Sequence, residues 1–126
     1  MTCITIADDS MFARMLVKQV VSKLFDDIEY LECSSGQEVL GKFEGDKSID
    51  WYLLDVNMGE PNGLETAKQL IAQGVPVDQI SLITGNKSSD LQEQADEISL
   101  NYVNKAIGPN DVDEFTERLK VFFKLT

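Results

Sequence analysis

Trp51-Tyr52-Leu53-Leu54-Asp55 is a short run, apolar at four consecutive positions and closed by an acid. It does not alternate, so it does not read as a strand with one wet face. A brief apolar run of this kind reads as a central strand buried on both sides. Such strands occur in parallel sheets covered by helices on both faces. Turn formers follow at Gly59-Glu60-Pro61-Asn62-Gly63. A helical pattern then runs over about 64–73 and is closed by Gly74.

The same alternation extends in both directions. Upstream, residues 3–7 (Cys-Ile-Thr-Ile-Ala) read as a strand. Residues 11–25 follow as a helix, with Phe12, Leu16, Val20 and Leu24 at a spacing of four as its apolar face. Residues 28–33 read as a second strand, and 36–44 as a short helix carrying Val39, Leu40 and Phe43 and stopping at Gly45. Downstream, 79–84 and 100–103 read as strands. A polar helix over 88–97, opened by Ser88 or Ser89, lies between them. The last helix starts near Asn110 and turns Val112, Phe115, Leu119, Phe122 and Phe123 inward, with Glu114 and Arg118 as a surface i, i+4 pair. Five strands alternating with five helices make an α/β fold of βαβ units. With right-handed crossovers, the expected architecture is a five-stranded parallel sheet of order 2-1-3-4-5, the flavodoxin-like arrangement.

Composition bounds the function. The chain has 126 residues, the size of one domain spanning 1–126. Eleven Lys and Arg against 22 Asp and Glu leave a net charge of −11, which opposes binding to nucleic acid or to an anionic membrane surface. Histidine is absent, which excludes Ser-His-Asp and Cys-His catalytic sets and most zinc sites. The N-terminus, Met1-Thr2-Cys3-Ile4, has no basic signal region, and no apolar run reaches the ~20 residues of a membrane helix. A cytoplasmic location is expected. Cys3 and Cys33 fall on separate strands, offset by about four residues or ~13 Å. That exceeds the roughly 7 Å a disulfide spans, so both are expected to be reduced.

The chemistry gathers at the strand carboxyl ends. Strand 1 ends in Asp8-Asp9, strand 3 in Asp55 and strand 4 in Thr84, while Lys105 follows strand 5. In an open parallel sheet the ligand crevice lies outside these ends, where strands 1 and 3 diverge. Each residue has an ordinary explanation when taken singly. Asp8, Asp9 or Ser10 could cap the first helix, Asp55 could open a turn, Thr84 could be a plain strand residue and Lys105 a solvated one. Together they put three carboxylates, a hydroxyl and an ammonium around one crevice. An all-oxygen cluster calls for a hard cation, and Mg²⁺ fits best because it leaves positions for phosphate oxygens. Asp55 then reads as a nucleophile that accepts a phosphoryl group, with Lys105 and Thr84 on its oxygens.

These residues resemble the receiver domain of bacterial two-component response regulators over essentially the whole chain. Asp8-Asp9, Asp55, Thr84 and Lys105 match the family's positions in order and on the right elements. Gly36-Gln37-Glu38-Val39-Leu40 resembles its second helix start. Asp55-Val56-Asn57-Met58, with Asn62-Gly63-Leu64-Glu65, resembles its phosphoacceptor loop. The resemblance implies that Asp55 accepts phosphate from a histidine kinase or histidine phosphotransfer protein. It implies that Asp9, Asp55 and the backbone carbonyl of Asn57 hold Mg²⁺, with Asp8 acting through water. Thr84 would hydrogen-bond the phosphoryl group, and Tyr102 would swing inward as Thr84 moves. Two positions depart from the family pattern. Ala106 follows Lys105 where a cis proline is usual, so a trans bond is expected there. Gly59 stands where a proline is frequent.

No output domain is expected after the fifth helix. The expectation is a stand-alone receiver that catalyses only its own phosphorylation and dephosphorylation. It would signal by phosphorylation-dependent binding of a downstream protein through helix 4, strand 5 and helix 5. The alternative is a receiver-fold interaction module that works independently of phosphorylation. A haloacid-dehalogenase-type phosphatase needs a second Asp where Asn57 stands. A flavodoxin-type carrier needs a phosphate loop where Ala7-Asp8-Asp9-Ser10 would repel the flavin phosphate.

Overall fold

The computed structural model describes residues 2–43, 48–85, 89–104 and 111–125. Five strands are present: β1 (Thr2–Ala7), β2 (Ile28–Cys33), β3 (Trp51–Asp55), β4 (Ile80–Thr84) and β5 (Asn101–Asn104). Five helices alternate with them: α1 (Met11–Val21), α2 (Gly36–Phe43), α3 (Gly63–Ala72), α4 (Ser89–Glu97) and α5 (Asp111–Phe122). A short 3₁₀ turn at Val77–Gln79 leads into β4. The strands form one parallel sheet of order β2-β1-β3-β4-β5, the order expected from the sequence.

Alternation along β3 fills both layers. Tyr52 and Leu54 point into a core built with Val39 and Phe43 of α2, Leu64, Ala67 and Leu70 of α3, and Ala95 of α4. Leu53 points the other way, into a core with Val17, Val20 and Val21 of α1 and Phe115, Leu119 and Phe122 of α5. Burial on both faces is why β3 carries no polar residue before its last position. At the amino end of the sheet, Trp51 stacks edge-on with Phe122 and Phe123 at 5.2 Å, and Phe25 meets Phe123 at 5.0 Å. Aromatic packing therefore closes the pole opposite the acidic residues. The Arg118–Glu114 pair expected on α5 is formed at 2.7 Å, though both side chains are well exposed.

Helix α1 corrects the sequence reading at one position. Phe12 is 79% exposed rather than buried, and the inward face is Val17, Val20 and Val21. A spacing of four advances about 40° beyond one turn at each step, so Phe12 sits roughly 80° around the helix from Val20. The helix also stops at Val21, not at 25, and Leu24 and Phe25 pack from the loop that follows. The register pairs Ala7 with Cys33 and Cys3 with Glu29, which separates the two cysteines by four positions. Both are buried, and neither is in a disulfide. Burial pushes the Cys33 thiol up to about 11, so it stays protonated and inert near neutral pH. Gly45, Ser88, Lys105, Ala106 and Asn110 lie outside the described residues. No helix among the described residues is long and apolar enough to cross a membrane.

Candidate functional site

The turn from β1 to α1 presents the first two acids. Ser10 caps α1, its hydroxyl accepting from the Ala13 N–H at 3.2 Å, so neither Asp8 nor Asp9 serves as the N-cap. Asp8 is buried. Its N–H donates to the Cys33 carbonyl at 3.0 Å, and its Oδ1 accepts from the Ser10 N–H at 2.9 Å. Asp9 is exposed. Asp55, the last residue of β3, is buried with only 6% of its surface accessible. The parallel pairing of β1 and β3 brings these three acids to one edge of the sheet. One ligand oxygen from each of Asp8, Asp9 and Asp55 lies within 4.8 Å of the others.

Charge sets what such a cluster can do. Two unit charges about 5 Å apart repel by roughly 3 kcal/mol at an effective dielectric of about 20. Held oxygens at this spacing are stabilised by a cation and suit a divalent ion with oxygen ligands. The donor set contains no nitrogen or sulfur, which favours Mg²⁺ over zinc or copper. Asn57 is exposed two residues beyond Asp55, on the same loop.

That loop is fixed at several points. The Val56 N–H donates to the Ile83 carbonyl at 3.1 Å, and the Gly63 N–H returns to the Val56 carbonyl at 3.0 Å. Met58 is buried and anchors the loop in the core under α3. Gly59 adopts φ +82°, the left-handed region that a β-carbon disfavours, which accounts for glycine there in place of proline. The Glu60–Pro61 peptide is cis. Asn62 and Glu65 form a reciprocal capping box at 2.8 and 2.9 Å, starting α3. Asn-Gly-Leu-Glu is thus legible as a helix start, whereas the burial of Met58 is not, because it depends on where α3 lands.

Thr84 ends β4 fully buried, and Tyr102 on β5 is half-buried in the α2–α3–α4 layer. Tyr102 pairs with Leu82 and Asn104 with Thr84, so threonine and tyrosine sit on the same face of adjoining strands. Lys105 follows Asn104 outside the described residues. One further residue at the turn escaped the sequence reading. Arg14 Nη1 donates to the backbone carbonyl of Asp8 at 2.6 Å. Its position one turn beyond the Asp-Asp pair is the only trace it leaves in the sequence.

Comparisons with known proteins agree with this geometry. A family model described as "Response regulator receiver domain" matches residues 4–117. The Mn²⁺-bound form of response regulator Rcp1 superposes with a TM-score of 0.80 at 19% identity, over 98% of this chain and 94% of that one. A response regulator receiver domain protein from Clostridium thermocellum gives 0.73 at 22% identity, over 96% and 98%. The chemotaxis protein CheY4 of Vibrio cholerae gives 0.69 at 22% identity, over 94% and 98%. No curated protein matches the chain in a sequence search. At these identities the solved structures speak for the fold, and the family model spans most of the sequence. The chain belongs to the response regulator receiver domain family, whose members accept a phosphoryl group in two-component signalling.

Proposed function

We propose that residues 1–126 form a Mg²⁺-dependent phosphoryl acceptor that takes its phosphoryl group onto Asp55 from a phosphohistidine on a partner kinase or phosphotransfer protein. The supporting observation is the convergence of Asp8, Asp9 and Asp55 within 4.8 Å at the carboxyl edge of the sheet. In the transfer, an Asp55 carboxylate oxygen forms the new O–P bond. The N–P bond to the donor imidazole breaks, and its electron pair stays on the nitrogen. Asp8, Asp9, Asp55 and the Asn57 backbone carbonyl are the groups that would hold Mg²⁺, which when bound supplies positive charge against the phosphoryl oxygens. Thr84 offers its hydroxyl to one of those oxygens, and Lys105 its ammonium to another. The chain's own catalysis is confined to gaining and losing this group.

Output would pass from Thr84 to Tyr102 and so to the face of α4, β5 and α5. On that face Asp90, Glu93, Asp96 and Glu97 of α4 are exposed, and the downstream partner is a protein that reads the change. The test is intact mass after incubation with acetyl phosphate. One phosphoryl adduct is expected with Mg²⁺ and none with a chelator. No adduct, together with no Mg²⁺ binding by calorimetry, would favour the phosphorylation-independent module instead.

The donor's approach leaves its own mark. Met11, Phe12 and Met15 of α1 are exposed, beginning two residues after Asp9, and form an apolar patch at the rim of the acidic edge. Truncating a large side chain that carries part of a contact's binding energy costs more than about 1 kcal/mol. Phe12→Ser is expected to slow transfer about tenfold from any autophosphorylated histidine kinase that labels the wild type, at 1.4 kcal/mol per decade. Labelling by acetyl phosphate should be unchanged, since Phe12 contributes no ligand. Equal transfer rates from the kinase would place the donor elsewhere.

A further inference from the structure

We propose that Arg14 is a positioning residue for the acidic pocket, holding the turn that carries Asp8 and Asp9, with Glu32 as its anchor. The proposal rests on the reading of that pocket as a Mg²⁺ site. Arg14 Nη1 donates to the Asp8 carbonyl at 2.6 Å, and its Nε donates to Glu32 Oε1 at 3.3 Å. Lys18, one turn on, holds the other Glu32 oxygen at 3.0 Å. Glu32 lies on β2, at the edge of the sheet, so the guanidinium ties that strand to the β1–α1 turn. The Arg14 side chain is only 15% exposed, which separates it from an ordinary solvated surface arginine. Hydrogen bonds from Lys18 and then Arg14 hold the Glu32 carboxyl below its ordinary range, so the anchor stays ionised.

Planarity gives the arrangement its use. The guanidinium fork presents donors in fixed directions, so fixing Nε on Glu32 fixes where Nη1 points. Among the contacts that hold Asp8 are its N–H to Cys33, its carbonyl from Arg14 and its Oδ1 from the Ser10 N–H. Groups one shell out from a metal commonly change its affinity 10- to 100-fold by orienting the ligands.

Charge and positioning predict opposite signs. A guanidinium near a cation site repels the cation, so deleting it should tighten Mg²⁺ binding if charge were its main effect. Deleting a positioning contact should loosen binding. An ordinary surface ion pair contributes about 0–1 kcal/mol to stability and would leave the affinity alone.

The experiment is calorimetric titration with MgCl₂ of wild type, Arg14→Ala, Arg14→Lys and Glu32→Ala, each with a urea unfolding curve recorded without Mg²⁺. Arg14→Ala is expected to weaken binding about tenfold or more. Arg14→Lys keeps the charge but has no fork to reach both acceptors, so it should not restore the affinity. Glu32→Ala should lose affinity in the same direction and by less. Unchanged or tighter binding in Arg14→Ala, or full restoration by lysine, overturns the proposal. Should Arg14→Ala fail to fold, Glu32→Ala decides, and wild-type affinity there overturns it. A wild type that binds no Mg²⁺ overturns the reading of the pocket and this proposal with it, whereas normal wild-type binding with unaffected variants overturns this proposal alone.

Discussion

Asp55→Asn protein is expected to take up no phosphoryl group from acetyl phosphate under conditions where the wild type is expected to gain one, read as intact mass. The side chains are nearly identical in shape, so the buried position at the end of β3 is filled as before. What changes is the chemistry. A carboxylate oxygen carries the electron pair that forms the O–P bond, whereas the amide is neutral and its nitrogen pair is delocalised. The substitution also removes one of three clustered charges. Losing a repulsion of roughly 3 kcal/mol per close pair offsets the favourable contacts of the carboxylate, so the metal-free protein should unfold in urea close to the wild type. The response to Mg²⁺ should fall for the same reason. A ligand at 100 times its dissociation constant stabilises the folded state by about 2.7 kcal/mol, and the variant should lose most of that gain. The two readouts separate a dead acceptor from a misfolded one. An adduct that persists on Asp55→Asn would move the acceptor to Asp8 or Asp9.

The residues that make this prediction possible were legible in the sequence because each sits at a break in hydrophobic pattern. Asp55 closes a run of four apolar residues, and Asp8-Asp9 closes the run through Ala7. The ends of strands are where pattern changes, and parallel topology puts all those ends on one edge. The same alternation implied a parallel sheet, and the observed order is the common one among the few that right-handed crossovers leave. Phe12 was misplaced because an interval of four only approximates a helix turn, and the error grows with each step away from the buried centre at Val20. Arg14 was not legible because its acceptors, the Asp8 carbonyl and Glu32, are brought together by the pairing of β1 and β2 rather than by spacing. Met58 was not legible because a methionine in a turn-rich loop carries no sign of where it points.

Gly63 belongs with those hidden positions, and Gly63→Ala should both destabilise the fold and weaken the pocket. Its φ lies outside the left-handed region, so nothing in its own conformation requires glycine. Helix propensity alone would favour alanine here by up to about 1 kcal/mol. Contact argues the other way. A β-carbon at 63 would fall onto the backbone carbonyl oxygen of Asp55, and would sit 2.9 Å from Asp55 C and 3.0 Å from Val56 Cα. These are backbone atoms that cannot rotate aside, so α3 or the end of β3 has to shift. Overpacking of this kind typically costs about 1–3 kcal/mol, which outweighs the propensity gain. One of the two elements that can give way carries Asp55, and a shift of about 1 Å in a reacting group can cost on the order of 100-fold in rate. Urea unfolding and the rate of labelling by acetyl phosphate measure the two effects. Gly41→Ala is the control: it lies in α2, where an added β-carbon meets nothing within 4 Å. That variant should gain about 0.4–1 kcal/mol and label at the wild-type rate. If Gly63→Ala behaved like Gly41→Ala, the approach of α3 to the Asp55 carbonyl would not be what holds the acceptor in place.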